Sequence, residues 1–223
     1  MLLSSMEIAM LRQLIFVCGL LLGIVSTSFA EPQPLFNGKD FTGWEGDTEK
    51  TWRIEDGVIV AGSLETVVPR NEFLATKKTY GDFELKAKFQ LLGDRKTANA
   101  GIQFRTKRIP NHHEVSGYQA DMGQDYWGAL YDESRRKKVL AKPDPKIVEK
   151  AVKHDDWNEY TIRCEGPRVR LWLNGTLTVD FTETEENIDR TGIIALQVHG
   201  SGKTKVLYKD IRIEELPAVS PKK

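Results

Sequence analysis

Three short segments place polar side chains in pairs two residues apart, opposite apolar residues. In GIIALQVHG, the residues Ile194, Leu196 and Val198 alternate with Gln197 and His199. Side chains at positions i and i+2 of a β-strand point to the same face of the sheet. AGIQFRT and GYQADMG repeat the arrangement. If these three strands are neighbours, one sheet face carries six polar residues: Gln103, Arg105, Gln119, Asp121, Gln197 and His199.

The chemical types in these pairs differ from those on the other polar strand faces. The segment ELKAKF, for example, carries Lys and Glu on its polar face. Amides, a guanidinium group, a carboxylate and an imidazole form directional hydrogen bonds with hydroxyl groups. An antiparallel sheet often has a solvated face that needs no function. We therefore consider two interpretations, a solvated face and a cleft for a polar ligand, and the composition favours the cleft.

Neighbouring segments add candidates for the same cleft. Tyr131, Glu133 and Arg135 occupy alternate positions and are expected to share a face. Glu72 stands just before a short apolar run. Among the tryptophans, Trp127 is the candidate for stacking on a sugar ring, although tryptophan is more often a core residue.

Several other kinds of site have no signal in this sequence. There is no Cys/His cluster and no HExxH, so no metal site is predicted, and the adjacent His112 and His113 are expected in a loop. Neither a phosphate-binding glycine motif nor a GxSxG motif occurs. The chain has 32 Lys+Arg and 32 Asp+Glu. A formal net charge of zero therefore gives no electrostatic case for binding nucleic acid or an anionic membrane.

The elements that must position these residues are predicted to be β-strands. Short alternating runs are separated by Gly, Asn, Asp and Pro, and Asp56-Gly57 and Asn174-Gly175 predict tight hairpins. One helix is predicted over 144–153, with Asp144 as its N-cap. The pattern is typical of an all-β sandwich of two antiparallel sheets with one short surface helix.

The N-terminal segment is predicted to be a signal peptide covering residues 1–30. Its apolar run, residues 14–25, is shorter than the ~20 residues that span a bilayer. Arg12 precedes the run, and the small residues Ser28 and Ala30 follow it, so cleavage is expected after Ala30. Either Met1 or Met10 can be the start. The protein is therefore expected to be periplasmic or secreted, with no membrane attachment after cleavage.

The expected mature chain is one domain, residues 31–216, followed by a polar tail, residues 217–223. It contains a single cysteine, Cys164, in an alternating strand. With one cysteine there is no internal disulfide, and we interpret Cys164 as a small core residue rather than a nucleophile. The oligomeric state stays open.

Nine segments between Pro34 and Leu216 resemble, in order, the 3-keto-disaccharide hydrolase domain family, formerly a domain of unknown function. They are PLFNGKDFTGW, WRIEDGVIVAG, NEFLATKKTYGDFELKAKF, NAGIQFR, GYQADMG, WGALYDESRR, DDWNEYTIRCEG, LWLNGTLTVDFTE and GIIALQVHG. The resemblance implies a concanavalin-A-like jelly roll whose concave sheet holds the site. It also implies an exported protein that acts on 3-keto-glycosides or 3-keto-disaccharides.

The resemblance also implies a reaction. A ketone at C3 acidifies the C2 proton; a base removes that proton, the oxygen at C1 leaves by elimination, and water can add back. No cofactor is required, because another enzyme makes the ketone. His199 is our first choice as the base, with Arg105 stabilising the enolate. Glu133 and Asp121 are the competing candidates for base or acid, and Tyr131 is another candidate acid. The expected substrate-binding residues are Glu72, Gln103, Gln119, Trp127, Tyr131, Arg135 and Gln197.

Two alternatives remain at this point. A non-catalytic, lectin-like carbohydrate-binding module of the same fold would need the amides and an aromatic ring but no base. An ordinary glycoside hydrolase is disfavoured, because no closely spaced acidic triplet lies on one strand.

Overall fold

The structure is a computed structural model that describes residues 31–218. The predicted signal peptide lies outside the described residues, as do residues 219–223 of the predicted tail. The strands are β1 (Gln33–Pro34), β2 (Trp44–Glu45), β3 (Trp52–Glu55), β4 (Val58–Gly62), β5 (Glu72–Thr76), β6 (Phe83–Gly93), β7 (Asn99–Arg108), β8 (Val115–Gly123), β9 (Leu130–Glu133), β10 (Lys138–Ala141), β11 (Asn158–Glu165), β12 (Arg168–Leu173), β13 (Thr176–Thr182), β14 (Ile193–Val198) and β15 (Thr204–Glu215). A 3-10 turn covers Gln124–Tyr126, and α1 covers Pro145–Ala151.

The strands form two antiparallel sheets, as the alternating pattern predicts. The first sheet has the order β13-β12-β11-β6-β15-β4-β3, with β1 paired to β15. The second sheet has the order β10-β9-β8-β7-β14-β5-β2. The predicted all-β sandwich is confirmed. None of the helices within residues 31–218 is long and apolar enough to cross a membrane.

Local sequence signals place the turns and the helix where they were expected. Asn174 and Gly175 both have positive φ, 50° and 79°, and join β12 to β13. Asp56 and Gly57 do the same between β3 and β4, with φ of 49° and 77°. Two successive residues with positive φ are the signature of the type I′ turn that suits a twisted hairpin. The carboxylate of Asp144 accepts a hydrogen bond from the backbone N–H of Lys146 and caps α1.

The main core lies between the two sheets. The first sheet contributes alternate residues of each strand, as in β6, where Phe83, Leu85, Ala87, Phe89 and Leu91 are buried. The ring of Phe89 stacks on that of Tyr160 in β11, with centroids 5.2 Å apart. Cys164 is a fully buried free thiol in this core, and burial raises its pKa to about 12. Its predicted role as a core residue is confirmed.

The three strands that carry the polar pairs are direct neighbours in the second sheet, in the order β8-β7-β14. Their register places Gln103 opposite Gln119, Gly101 opposite Asp121, and Gln197 opposite Gly101. These residues therefore share the sheet face that points away from the main core. That face is not solvated, because Gln103 and Gln197 are 0 % exposed, Gln119 is 2 % exposed and Asp121 is 4 % exposed. The interpretation as an open, wet face is therefore wrong.

Candidate active site

A half-open polar cavity of about 200 Å³ lies on this face of the second sheet. Strands β7, β8 and β9 supply its floor and one side. The rest comes from the 3-10 turn after β8, the residue after β14 and the residue before β5. Two of its lining residues are carboxylic acids and two are tyrosines. The lining residues are Asn71, Asn99, Gln119, Asp121, Gln124, Tyr126, Tyr131, Glu133 and His199.

Asp121 is held at the floor of the cavity by the strand register and by Asn99. The Nδ2 of Asn99 donates to Oδ1 of Asp121 over 3.0 Å. The hydroxyl of Tyr160, which rises from the other sheet, donates to the backbone carbonyl of Asp121. Burial raises the pKa of Asp121 to about 8, against the hydrogen bonds from Asn99 and Gln119, and the charge of Glu133 adds to the increase. At neutral pH this carboxyl therefore holds its proton for most of the time.

Glu133 ends β9 and lines the same cavity. The Nε2 of Gln197 donates to its Oε2 over 3.4 Å. Burial and then the negative charge of Glu114 raise the pKa of Glu133 to about 7, although the hydrogen bond from Gln197 acts in the opposite direction. A carboxyl with such a pKa exchanges its proton readily near neutrality, which is the property of a general acid or base.

His199 and Tyr131 are two further cavity residues that can transfer or share a proton. His199 follows β14, its backbone N–H donates to the carbonyl of Asn99, and its Nδ1 lies 2.7 Å from the carbonyl oxygen of Gly200. A proton on Nδ1 satisfies that carbonyl and leaves Nε2 as an acceptor. Burial, and then the charge of Glu133, raise the pKa of the Tyr131 phenol. Tyr131 therefore remains a hydroxyl donor at neutral pH.

Gln103 and Gln197 lie beneath the cavity and orient the groups that line it. The Nε2 of Gln103 donates to Oε1 of Gln119, and Gln197 donates to Glu133. Gly101 leaves room for this arrangement, because a Cβ at position 101 would lie 2.6 Å from Cδ of Gln119. The amide oxygens of Gln103 and Gln197 are buried and have no hydrogen-bond partner within the described part of the chain. Both glutamines thus lie on the predicted sheet face but do not line the cavity, and their predicted contact with substrate stays a prediction.

Arg105 does not project into the cavity, so its predicted place beside the enolate is wrong. A bulge between Phe104 and Lys107 interrupts the pairing of β7 with β8, and Arg105 adopts a φ of 46°. Its guanidinium instead donates to the carbonyls of Gly81 and Gly166 and to Oδ1 of Asp82. The alternation that predicted Arg105 on the same face as Gln103 therefore ends at Phe104, one residue before Arg105.

Three further residues also lie outside the cavity. Glu72 pairs with Arg70 over 2.7 Å and lines a neighbouring depression. Trp127 is 9 % exposed and stacks on Phe89 in the main core, so it is not available to a sugar ring. A turn at Ser134, with a φ of 51°, ends the alternation of β9. Arg135 therefore pairs with Asp132 and lies over the ring of Tyr118.

Sequence reasoning missed four of the residues that line the cavity. Asn99 lies four residues before Gln103 in the same strand, and the same alternation identifies it. Asn71, Gln124 and Tyr126 lie in loops or in the 3-10 turn, where no periodic pattern applies. Within residues 31–218, no group of three or more His, Cys, Asp or Glu side chains is arranged to hold a metal ion.

The fold and the site together define a class of protein, the β-sandwich with a polar cleft on one sheet. A protein from Parabacteroides distasonis ATCC 8503, proposed to be a glycosyl hydrolase, is 23% identical; the match covers 83% of this chain and 94% of that chain, with a TM-score of 0.62. The carbohydrate-binding module CBM66 from Bacillus subtilis is 14% identical over 78% of this chain and 96% of that chain, with a TM-score of 0.58. A Bacillus subtilis protein of unknown function with a galectin-like fold is 13% identical over 86% of this chain and 97% of that chain, with a TM-score of 0.60. At these identities the likeness establishes the jelly-roll fold.

Residues 31–214 match the family of 3-keto-alpha-glucoside-1,2-lyase-like domains. The chain belongs to that family, as the nine ordered sequence segments indicated. A search of curated protein sequences found no match.

Proposed function

We propose that this chain is an enzyme that cleaves 3-keto-glycosides by removing the C2 proton and expelling the oxygen at C1. One observation carries the proposal: Asp121 and Glu133 line the same polar cavity, and burial raises the pKa of Asp121 to about 8 and that of Glu133 to about 7. A site that only binds a sugar needs hydrogen-bond donors and acceptors but not two carboxyls that exchange protons near pH 7. Membership of the lyase-like family supports the choice of a 3-keto-glycoside as substrate.

In the proposed reaction, Glu133 is the base and Asp121 is the acid. The C2–H bond breaks, its proton passes to the carboxylate of Glu133, and its electron pair forms the C2=C3 bond of the enolate. The ketone then re-forms, the C1=C2 double bond forms as the C1–O bond breaks, and the leaving oxygen takes the proton of Asp121. A base with a pKa of about 7 and an acid with a pKa of about 8 are both in their reactive forms at neutral pH. Water added across the double bond completes a hydrolysis, and release without water completes a lyase reaction.

The hydroxyl of Tyr131 and the amide of Asn71 are the proposed donors to the ketone and to the enolate that it becomes. They take the role that the sequence had suggested for Arg105. Tyr131 keeps its proton at neutral pH and lies next to Glu133 in β9. Preorganised donors in a partly buried cavity stabilise a developing negative charge more than they would in water. His199 is proposed to accept a hydrogen bond from a substrate hydroxyl through Nε2.

The size of the cavity supports recognition of one sugar ring. Its volume of about 200 Å³ is below the ~300–1,000 Å³ of pockets that enclose a drug-sized ligand. We propose that the oxidised ring enters the cavity and that the leaving group remains outside. The aglycone is then recognised weakly, which permits a range of leaving groups.

The proposed reaction is tested with a 3-keto-α-glucoside that carries a nitrophenyl leaving group, next to its unoxidised parent. We expect nitrophenol from the keto-sugar only, and a primary isotope effect with deuterium at C2. Glu133→Gln should lower kcat/KM by ~10²–10⁴, the usual contribution of a general base. His199→Ala should cost less. If His199→Ala shows the large loss and Glu133→Gln does not, His199 is the base.

The acid role of Asp121 has its own test with two leaving groups. A sugar alkoxide needs protonation when it leaves, whereas nitrophenolate does not. Asp121→Asn should therefore slow the release of a sugar leaving group by at least tenfold more than the release of nitrophenol. Equal losses with both leaving groups would contradict the assignment.

Carbohydrate binding without catalysis is the second candidate function. The structural likeness to the module CBM66 and the amide-rich cavity favour it. Calorimetry with 3-keto-glucoside and with glucoside distinguishes the two functions. If the unmodified protein binds the keto-sugar but releases no product from it, the binding function is correct.

We further propose that the protein is exported and begins at Glu31. The support is the sequence pattern of residues 1–30, since these residues lie outside the described structure. Expression in a bacterium, followed by fractionation and N-terminal sequencing, checks the proposal. A lipid-modified N-terminus at Cys18, or an uncleaved cytoplasmic protein, would contradict it.

A further inference from the structure

The segment between β7 and β8 reaches across the cleft face of the second sheet. At the end of β7, Arg108 donates to the backbone carbonyls of Phe73 in β5 and Glu45 in β2. At the start of β8, Val115 is buried in one small apolar cluster with Phe73 and Ala195. Since β14 lies between β7 and β5 in the sheet order, these contacts hold the segment over β14.

Glu114, the residue before β8, is fixed in this segment through its backbone. Its carbonyl accepts from the N–H of Ile109 over 3.1 Å, and its N–H donates to Nδ1 of His112 over 3.2 Å. The ring of His112 stacks on that of His113, with centroids 4.4 Å apart. The side chain of Glu114 is 15% exposed, so most of it is packed against other parts of the protein.

The carboxylate of Glu114 accepts from the side chain of Asn71, a residue that lines the cavity. The Nδ2 of Asn71 donates to Oε1 of Glu114 over 3.2 Å, and Oδ1 of Asn71 accepts from the backbone N–H of Gly200 over 2.9 Å. The backbone carbonyl oxygen of Asn71 lies 3.0 Å from Nδ1 of His113, which is itself 3.8 Å from Oε1 of Glu114. Both ends of the Asn71 amide, and its backbone, therefore have partners on other segments of the chain.

These partners favour one orientation of the Asn71 amide. A carboxylate only accepts hydrogen bonds, and a backbone N–H only donates them. If the amide were turned by half a rotation, Oδ1 would face the carboxylate of Glu114 and Nδ2 would face the N–H of Gly200, so both hydrogen bonds would be lost. Nδ2 carries two hydrogens, and the carboxylate takes one of them.

We propose that Glu114 is a positioning residue: its carboxylate, with the N–H of Gly200, locks the amide of Asn71 so that Nδ2 donates its second hydrogen to the keto oxygen of the substrate. The inference rests on the proposed function, in which Asn71 is one of the donors to the ketone and to the enolate. Glu114 does not line the cavity, so it acts through Asn71. Negative charge on the keto oxygen increases as the C2 proton leaves, and a fixed donor therefore lowers the barrier more than it strengthens binding.

Two variants separate the acceptor of Glu114 from its charge. Glu114→Met keeps the length of the side chain but removes the acceptor, whereas Glu114→Gln keeps an oxygen acceptor and removes the charge. With the nitrophenyl 3-keto-α-glucoside, Glu114→Met should lower kcat by at least ~tenfold and change KM by less than ~threefold, because a misplaced donor loses part of the ~10²–10³ that such a donor contributes. Glu114→Gln should keep kcat within ~threefold of the unmodified protein.

The matched control is Glu49→Met, which removes an exposed carboxylate and should leave kcat unchanged. A loss in Glu114→Gln as large as that in Glu114→Met would show that the charge acts and not the acceptor, and it overturns the proposal. Unchanged kcat in Glu114→Met overturns it as well.

A double-mutant cycle tests whether Glu114 acts through Asn71. Asn71→Ala removes the donor and should lower kcat by ~10²–10³. Adding Glu114→Met to Asn71→Ala should then change kcat by less than ~threefold, since the amide that Glu114 positions is absent. If Glu114→Met costs the same factor with and without Asn71, as a purely structural role predicts, the proposal is wrong.

A further readout does not depend on turnover. Nitrogen-15 NMR of the Asn71 side-chain amide follows the exchange of its two hydrogens with solvent. We expect one slowly exchanging hydrogen in the unmodified protein and in Glu114→Gln, and faster exchange of that hydrogen in Glu114→Met. If the unmodified protein releases no product but Glu114→Met shows the faster exchange, the proposed function fails and the positioning of Asn71 stands. If the exchange is the same in all three proteins, the positioning is wrong, whatever the activity.

Discussion

At the scale of single residues, the most informative feature is the protonation of Asp121. The unfolded chain has an ordinary aspartate pKa of ~3.9, and burial raises that of the folded protein to about 8. Below about pH 4 both states hold the proton, and above about pH 8 neither does. Between these limits the folded state binds more protons than the unfolded state, so the free energy of unfolding falls as the pH rises. Asp121 thus destabilises the fold at neutral pH, as expected for a carboxyl with a pKa that burial raises.

The variant Asp121→Asn is expected to remove this dependence. An amide in the same position still accepts from Asn99 and carries no charge at any pH. The free energy of unfolding should then fall less between pH 5 and pH 8 than in the parent, and the variant should be the more stable protein at pH 8. Urea unfolding at several pH values measures both. The exposed-site variant Glu65→Gln serves as the control. The assignment is contradicted if, between pH 5 and pH 8, the free energy of unfolding of the parent does not fall relative to that of Asp121→Asn.

At the scale of elements, the bulge in β7 determines which residues reach the site. Arg105 has a positive φ, a conformation that is costly for a residue with a side chain. Its guanidinium compensates by hydrogen-bonding across the sandwich to the turn that joins β11 to β12, where it meets Gly166, and to Asp82 before β6. The side chain is 1% exposed. Arg105 therefore links the two sheets and does not line the cavity.

Removal of this link should destabilise the protein strongly. Arg105→Ala leaves the carboxylate of Asp82 buried with one fewer donor, and such a loss typically costs about 3–5 kcal/mol of unfolding free energy. The matched control is Arg168→Ala, which breaks the exposed pair with Asp180 and should cost less than ~1 kcal/mol. Thermal and urea unfolding compare the two.

Activity gives an independent check on the same residue. Folded Arg105→Lys should turn over a 3-keto-glycoside with a kcat within ~threefold of the parent, because its side chain does not contact the cavity. A loss of ~100-fold in folded protein would instead support the earlier hypothesis that Arg105 stabilises the enolate.

The loop between β7 and β8 is the second element that determines the site. It converts an open sheet face into a covered one, and it brings Glu114 to the wall that Asn71 forms. The apolar cluster beneath it contains Ala195, which pairs with Gln103 in the sheet. The loop thus contacts residues that lie on other strands and before β5.

At the scale of the whole molecule, the sandwich supports a buried polar site through its two packed layers. The first sheet alternates between core and solvent, whereas the second is buried on both faces along β7, β8 and β14. The aromatic contacts between the layers, such as Phe89 with Tyr160, hold the floor of the site rigid. Such packing holds the carboxyls and their donors in fixed positions, as the proposed reaction requires.

The sequence by itself determined the architecture and the face on which the site lies. Period-two alternation, the two Gly-containing hairpin turns and the capped helix are local features, and local features are encoded by nearby residues. The same alternation identified Gln103, Gln119, Asp121 and Gln197 as one polar face, and the family segments indicated its chemistry. Tyr131 and Glu133 were also found in this way, because β9 continues the pattern to its last residue.

Only the tertiary structure decided which polar residues enter the cavity and how they ionise. The bulge at Arg105 and the turn at Ser134 interrupt the alternation, and no local pattern predicts them. Arg105 is held there by partners in distant segments, Gly166 and Asp82. Asn71 and Glu114 are 43 positions apart in sequence and meet because a loop crosses the sheet. Burial and neighbouring charge set the pKa values of Asp121 and Glu133, and both are properties of the folded chain.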